Sequence, residues 1–327
     1  MKKNFYKNKL SEDFIITNYL KKLNFKKKGT FNFDNDGSYL TLKKNKKLVI
    51  TTDSISENLD FFKNDDPKSI AKKIITVNLS DLSAMGSYPY AYTLNLFLPK
   101  YINKNWLNIF TDELFKMQKK YKFYLLGGDL SKSNQLKISA TFFGFSKNDK
   151  VTSQNKLNSG DDIWITGNLG DSYIGLQILK SKLSIKNKKL KNYFLNKYYY
   201  PEPCMVGSKL NKYIKSSIDI SDGFIGDLKK MLKYKYGAIL DINKIPISKN
   251  LNQLLNLKKI HKKNLLNTGD NYDLIIIANK KFRSKLLSIA KKEKVKITLV
   301  GKVINDVKII NDSDKPLNIS KEFDHFL

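Results

Sequence analysis

Residues 77–86, V-N-L-S-D-L-S-A-M-G, decide how this chain is read. Pro67 suits the first turn of a helix, and Gly86 suits its end. The spacing of Ile70, Ile74, Val77 and Asp81 predicts one continuous helix from Pro67 through Met85. Asp81 then sits inside an otherwise apolar stretch. A carboxylate there is partly buried and needs a partner. That partner is either a local donor or a ligand the protein exists to hold.

Strand and helix patterns interleave on both sides of this segment. Before it, 11–23 reads as a helix with Ser11 as N-cap, and strands are predicted near 38–42 and 47–53. After it come a strand over 90–98, a helix over 104–121, a strand over 123–127 ending in Gly127-Gly128, and a strand over 135–146. The polar stretch 146–161 marks a domain boundary, giving domains at 1–148 and 149–327. In the second, strands are expected at 163–166, 217–220, 239–242, 274–278 and 297–303. Helices are expected at 171–181, 187–199, 204–214, 223–235, 251–258 and 280–292. The fold class is therefore α/β of the mixed α+β type, in two domains.

Bulk composition agrees. A length of 327 residues suits two domains, and 41% hydrophobic with 12% aromatic residues can fill two cores. The formal net charge of +30 suggests nucleic acid. Against that, Arg283 is the sole arginine, and base reading leans on Arg for bidentate contacts to guanine. The lysines are scattered rather than clustered, so a nucleic-acid-binding role is the weaker reading. Cys204 is the sole cysteine, which excludes a disulfide within the chain and points to a reducing, cytoplasmic setting. No long apolar stretch comes after Met1-Lys2-Lys3, so neither a signal peptide nor a membrane span is expected.

In so basic a chain the acids carry the information. Asp36, Asp53, Asp81, Asp129, Asp219 and Asp222 stand beside Gly, Ser or Thr, mostly at the ends of predicted strands. Mg²⁺ prefers oxygen ligands and is usually held by a few carboxylates plus substrate phosphates. Carboxylates close to ATP would repel it unless cations lay between, so a site rich in Asp implies several metal ions. Each acid also has a structural reading. Asp36 before Gly37 can make a turn, Asp53 can cap the segment after its strand, and Asp222 can cap the next helix. Gly128 before Asp129 lets the backbone approach a ligand or merely turn. No G-x-x-x-x-G-K-[ST] occurs, so any ATP site is not a P-loop.

The ordered series T-T-D-S, V-N-L-S-D-L-S-A-M-G, L-L-G-G-D, S-G-D-D-I-W-I-T-G-N-L-G-D-S, I-D-I-S-D-G-F-I-G-D-L, T-G-D-N-Y-D-L and F-D-H-F resembles the thiamine-monophosphate kinase family, over about residues 11–327. That family lies in the aminoimidazole ribonucleotide synthetase-like superfamily. The resemblance implies two α/β domains and a homodimer in which N-terminal sheets pair, with ATP near that interface. It implies phosphorylation of thiamine monophosphate by ATP, needing Mg²⁺ and often responding to K⁺. It makes Asp36, Thr51, Thr52, Asp53, Asp81, Asp129, Asp219 and Asp222 metal ligands, with Asp53, Asp81 and Asp129 central to the chemistry. It assigns Gly128, Asp129 and Ser221 to the nucleotide, and Asp270 and Phe323 to the thiamine side.

Departures from the family pattern are local. The paired acids before the first cluster read Asn35-Asp36. Asp60 stands where the family has a substrate-contacting His, and Gln154 where it has a nucleotide-binding Arg, with Lys156 nearby. A selenophosphate synthetase would need an N-terminal Cys or selenocysteine, which this chain lacks. An aminoimidazole ribonucleotide synthetase fits 268–274 and 323–326 less well. A phosphate acceptor is already largely ionised near neutral pH, its second pKa being ~6, so transfer needs no general base. A chain whose only histidines are His261 and His325 suits such chemistry. Positioning and charge neutralisation do the work.

Overall fold

A computed structural model describes residues 10–147, 150–152, 157–233, 235–257, 260–313 and 315–317. In chain order its main elements are α1 (Glu12–Ile15), β1 (Leu48–Ser56), α2 (Pro67–Ala84), β2 (Ser87–Leu98), α3 (Lys104–Tyr121), β3 (Tyr124–Lys132) and β4 (Lys137–Ser146). Then come β5 (Asp162–Thr166), α4 (Asp171–Leu179), α5 (Lys188–Tyr199), α6 (Gly207–Leu210), β6 (Ser216–Asp219) and α7 (Phe224–Leu232). The last are β7 (Gly237–Leu240), α8 (Lys249–Asn256), β8 (Leu274–Ala278), α9 (Arg283–Lys292), β9 (Ile297–Ile304) and β10 (Ile309–Asn311).

The chain divides into two compact units. The first is Met1–Lys44, Leu48–Asn78 and Pro89–Phe145; the second is Asn45–Lys47, Leu79–Tyr88 and Ser146–Leu327. The division runs through α2, so the end of the helix that carries Asp81 belongs with the second unit. A single cut after a polar linker could not anticipate that.

The first unit holds a four-stranded sheet in the order β1-β4-β2-β3. β1 and β4 are antiparallel, while β2 and β3 run parallel and are joined by α3 as the crossover. Tyr92 stacks on Phe142 at 4.9 Å and meets Phe123 edge-on at 5.4 Å, filling this core with aromatic area. The 38–42 segment forms no strand. Its Tyr39 and Leu42 are exposed, and Tyr39 N–H bonds instead to Gly29 C=O at 3.0 Å. β3 does not stop at Gly127-Gly128 but runs on, pairing Gly128 with Leu94 and Asp129 with Asn95. A Cβ on Gly128 would stand 1.8 Å from the Leu94 carbonyl oxygen. Close strand approach therefore requires this glycine.

The second unit's sheet has the order β10-β7-β9-β5-β8-β6. Ile163, Ile165, Ile275 and Ile277 face the cluster formed with Phe224, Leu228 and Met231 of α7. Trp164, Leu274, Ile276 and Ala278 face the other way, against Leu210 and Leu286. Cover on both faces is why 274–278 reads as an unbroken apolar run. The helix expected over 204–214 shrinks to α6, whose first residue, Gly207, packs against the Ser83 carbonyl, where a Cβ would lie at 1.7 Å. Cys204 is buried, and burial pushes its thiol up to about 12, so it is an inert core residue.

Candidate active site

α2 brings Asp81 to its place. The helix does not present one apolar stripe: Ala71, Ile74, Ile75, Leu79 and Leu82 are all buried, and so are Thr76, Asn78, Ser80 and Ser83. Val77 and Asp81, one turn apart, are half-buried and mark its open line. Ser80 and Ser83 find partners within the second unit. Ser80 Oγ donates to Asp219 Oδ2 at 2.8 Å, and Ser83 Oγ donates to the Cys204 carbonyl at 2.6 Å. Asp219, the last residue of β6, is thereby tied to the residue next to Asp81. A buried hydroxyl–carboxylate bond of this kind fixes both groups.

After Asp219 the chain turns through Ile220, Ser221, Asp222 and Gly223 into α7. Asp222 does not cap that helix. Asp227, in the first turn, aims its Oδ2 back at three consecutive backbone N–H groups: Ser221 at 3.1 Å, Asp222 at 3.0 Å and Gly223 at 3.1 Å. Its Oδ1 accepts from Lys230 Nζ at 2.9 Å, and the same ammonium bonds Asp222 Oδ2. Burial works against the Lys230 charge, but its bonds to the two carboxylates outweigh that and raise its pKa. Burial also pushes the Asp227 carboxyl up, with Lys230 opposing. Sequence reasoning did not single out Asp227; its signal is an acid four residues after the turn's glycine.

A second loop is stitched to this turn. Asp270 N–H donates to the Ser221 carbonyl at 2.9 Å, and Asn271 and Tyr272 N–H both donate to the Ile220 carbonyl. A Cβ on Gly269 would reach within 2.0 Å of the Ser221 oxygen. Asp270 has φ +56 and accepts from Tyr272 Oη at 2.7 Å. Ser221, Asp222 and Asp270, read separately in the sequence, therefore share one locality. Next to it the T-G-N-L-G-D segment leaves β5 for α4. Thr166 Oγ1 donates to Asp273 Oδ1 at 2.9 Å, and Gly170 N–H donates to Asn271 Oδ1 at 3.0 Å. Burial pushes the Asp273 carboxyl up to about 7, opposed by Thr166 and the Asn168 backbone N–H.

In the first unit, Asp36, Gly127, Gly128 and Asp129 line one cavity of about 200 Å³, together with Glu12 and Ser38. Asp129 Oδ2 accepts from Ser131 Oγ at 2.8 Å, and both Asp36 and Asp129 are exposed. Along β1, Thr51 and Asp53 share one face and Thr52 the other, since side chains alternate. Thr52 Oγ1 faces Thr141 Oγ1 at 3.0 Å. Asp60 closes the turn after β1, accepting the Ser56 N–H at 2.7 Å. Gln154, Phe323 and the 323–326 motif lie outside the described residues.

The candidate ligands fit Mg²⁺ by chemistry, being carboxylates and hydroxyls without His or Cys. Among the described residues, no three or more His, Cys, Asp and Glu gather as a ready-made metal site. Mg²⁺ characteristically completes its shell with waters and substrate phosphates.

Known proteins match the chain across both units. The family described as AIR synthase related protein matches with its N-terminal domain at residues 34–146 and its C-terminal domain at 158–311. A thiamine-monophosphate kinase of Buchnera aphidicola subsp. Schizaphis graminum is 37% identical over 297 residues, covering 89% of this chain and 91% of that protein. Its counterpart from Buchnera aphidicola subsp. Acyrthosiphon pisum is 36% identical, covering 97% and 99%. The crystal structure of thiamine-monophosphate kinase from Stenotrophomonas maltophilia K279a superposes with a TM-score of 0.79 at 27% identity, covering 86% of this chain and 90% of that one.

Proposed function

This chain belongs to the thiamine-monophosphate kinase family, and on that premise we propose that it transfers the γ-phosphoryl group of ATP to thiamine monophosphate, giving thiamine diphosphate and ADP. The observation that carries the reading within the fold is the stitching of Ser221, Asp222 and Asp270 into one locality. Ser221 contacts ATP there, and Asp270 offers a carboxylate to the thiazolium cation. Asp60 and Gln154 stand at the remaining substrate and nucleotide positions, with Phe323 stacking on the thiamine rings.

Asp36, Thr51, Thr52, Asp53, Asp81, Asp129, Asp219 and Asp222 are the oxygen donors assigned to Mg²⁺, which when bound neutralises the charge of the donor and acceptor phosphates. The chain's own contribution is position. Asp227 shapes the turn that presents Ser221 and Asp222, and Ser80 fixes Asp219. The acceptor oxygen is already ionised, so no side chain has to take its proton, and attack on phosphorus is in line. The same reading includes a homodimer, a response to K⁺ and a cytoplasmic location. Among the described residues no helix is long and apolar enough to cross a membrane.

The test is ADP release by the purified chain with thiamine monophosphate, thiamine or aminoimidazole precursors as acceptor. ADP release that depends on thiamine monophosphate alone supports the reading. Release with the aminoimidazole precursor instead would replace it.

A further inference from the structure

We propose that the second unit carries a binding site for small anions bearing several phosphate groups, built from Lys147, Lys150, Lys209, Lys212 and Lys292. These lysines line a cavity of about 340 Å³, with Glu293 the one acid in its wall among the described residues. Lysine and arginine together make up 60 of 327 residues, so ten residues drawn at random would include about two. Five of the ten described residues that line this cavity are lysines.

Among the described residues, five ammonium groups against one carboxylate give the lining a net charge of +4. A concave, predominantly positive lining focuses field on whatever anion enters. Among the described residues, no salt bridge neutralises Lys147, Lys209, Lys212 or Lys292. Lys209 and Lys292 lie in the last turns of α6 and α9, where a cation also offsets the helix dipole. That role does not extend to Lys147, Lys150 or Lys212.

The cavity has a built floor. Asn211 is only 4% exposed. Its Nδ2 donates to the Lys150 carbonyl at 2.6 Å and the Gly86 carbonyl at 3.4 Å. Lys150 Nζ in turn donates to the Asn211 carbonyl at 2.8 Å. The floor is thus anchored to the turn that ends α2. Lys212 and Tyr213 precede β6, whereas Asp219 ends it, so the lysines and the acidic turn occupy opposite ends of that strand. The volume lies near the ~300 Å³ lower end of ligand pockets, which suits an oligophosphate. Lysine binds phosphate as a point charge without demanding a fixed geometry.

The test is calorimetric titration of the full chain with inorganic triphosphate in EDTA. EDTA removes divalent cations, so the acidic turn repels the anion while the lysine cavity is unaffected. One bound triphosphate per chain is expected. K209Q/K212Q/K292Q should weaken it about tenfold or more. The control K180Q/K182Q/K186Q removes the same charge from lysines elsewhere on the surface and should hold within about twofold. Circular dichroism confirms that both variants fold. The proposal is overturned if the wild type shows no stoichiometric binding, or if the control weakens as much as the cavity variant. It is also overturned if the cavity variant loses binding of a single-stranded oligonucleotide but keeps that of triphosphate.

Discussion

Replacing Asp227 with Ala removes one carboxylate that organises a whole turn, and the cost can be worked from its three backbone bonds. Oδ2 accepts from Ser221, Asp222 and Gly223 N–H at 3.0–3.1 Å. Gly223 is buried, so its N–H loses its partner outright; Ser221 is exposed and Asp222 half-buried, so water restores part of theirs. A bond to a charged acceptor contributes ~1.5–3 kcal/mol net, and one full loss with two partial ones comes to ~3 kcal/mol. The Lys230 pair adds less than ~1 kcal/mol, because that side chain is 52% exposed. At ~2–4 °C per kcal/mol for a unit of this size, the midpoint should fall by roughly 6–12 °C. Asp227→Asn keeps an oxygen facing the turn and should lose about half as much. The assay is thermal unfolding monitored by fluorescence of Trp164, the one tryptophan of the second unit, in a Trp106→Phe background. A midpoint within about 2 °C of wild type for Asp227→Ala, or equal losses for Ala and Asn, would refute the reasoning.

Asp81→Asn should lower turnover by orders of magnitude while circular dichroism and the melting midpoint stay near wild type; near-normal activity would remove Asp81 from the site. Gly128→Ala should destabilise the first unit by several kcal/mol, since its Cβ would overlap the Leu94 carbonyl at 1.8 Å; a denaturant midpoint equal to wild type would contradict the strand pairing. Asp273 makes stability depend on pH. Its carboxyl titrates near 7 when folded against 3.8 ordinarily, so the unfolded chain ionises first as pH rises. The group's contribution is therefore full below about pH 4 and declines up to about pH 7. Asp273→Asn should flatten that decline in melting midpoint, and an unchanged slope would show that Asp273 is not its source.

Elements with regular periodicity were legible from residues alone. The helix over 104–121 and the strand over 274–278 appear where alternation and apolar runs placed them. The departures occur where long-range contacts override local pattern. The 38–42 segment reads as a strand but pairs with no strand among the described residues, Tyr39 N–H bonding to Gly29 C=O instead. Gly127-Gly128 looked like a strand end, yet the glycine exists so that β2 and β3 can approach. Acids at element ends were visible because Asp is conspicuous among so many lysines. Asp227 and Asp273 did not stand out within the quoted strings: Asp227 serves the turn four to six residues before it, and Asp273 acts through a bond to Thr166 that only the fold brings near. Asp60, where the resemblance leads one to expect a His, serves locally by accepting the Ser56 N–H at 2.7 Å.

Direct transfer from ATP to thiamine monophosphate can be followed with an isotope. With γ-³²P-labelled ATP, Mg²⁺ and thiamine monophosphate, label is expected in the terminal phosphate of thiamine diphosphate, equal in amount to the ADP formed. Label appearing only as inorganic phosphate, with no labelled thiamine diphosphate, would contradict it.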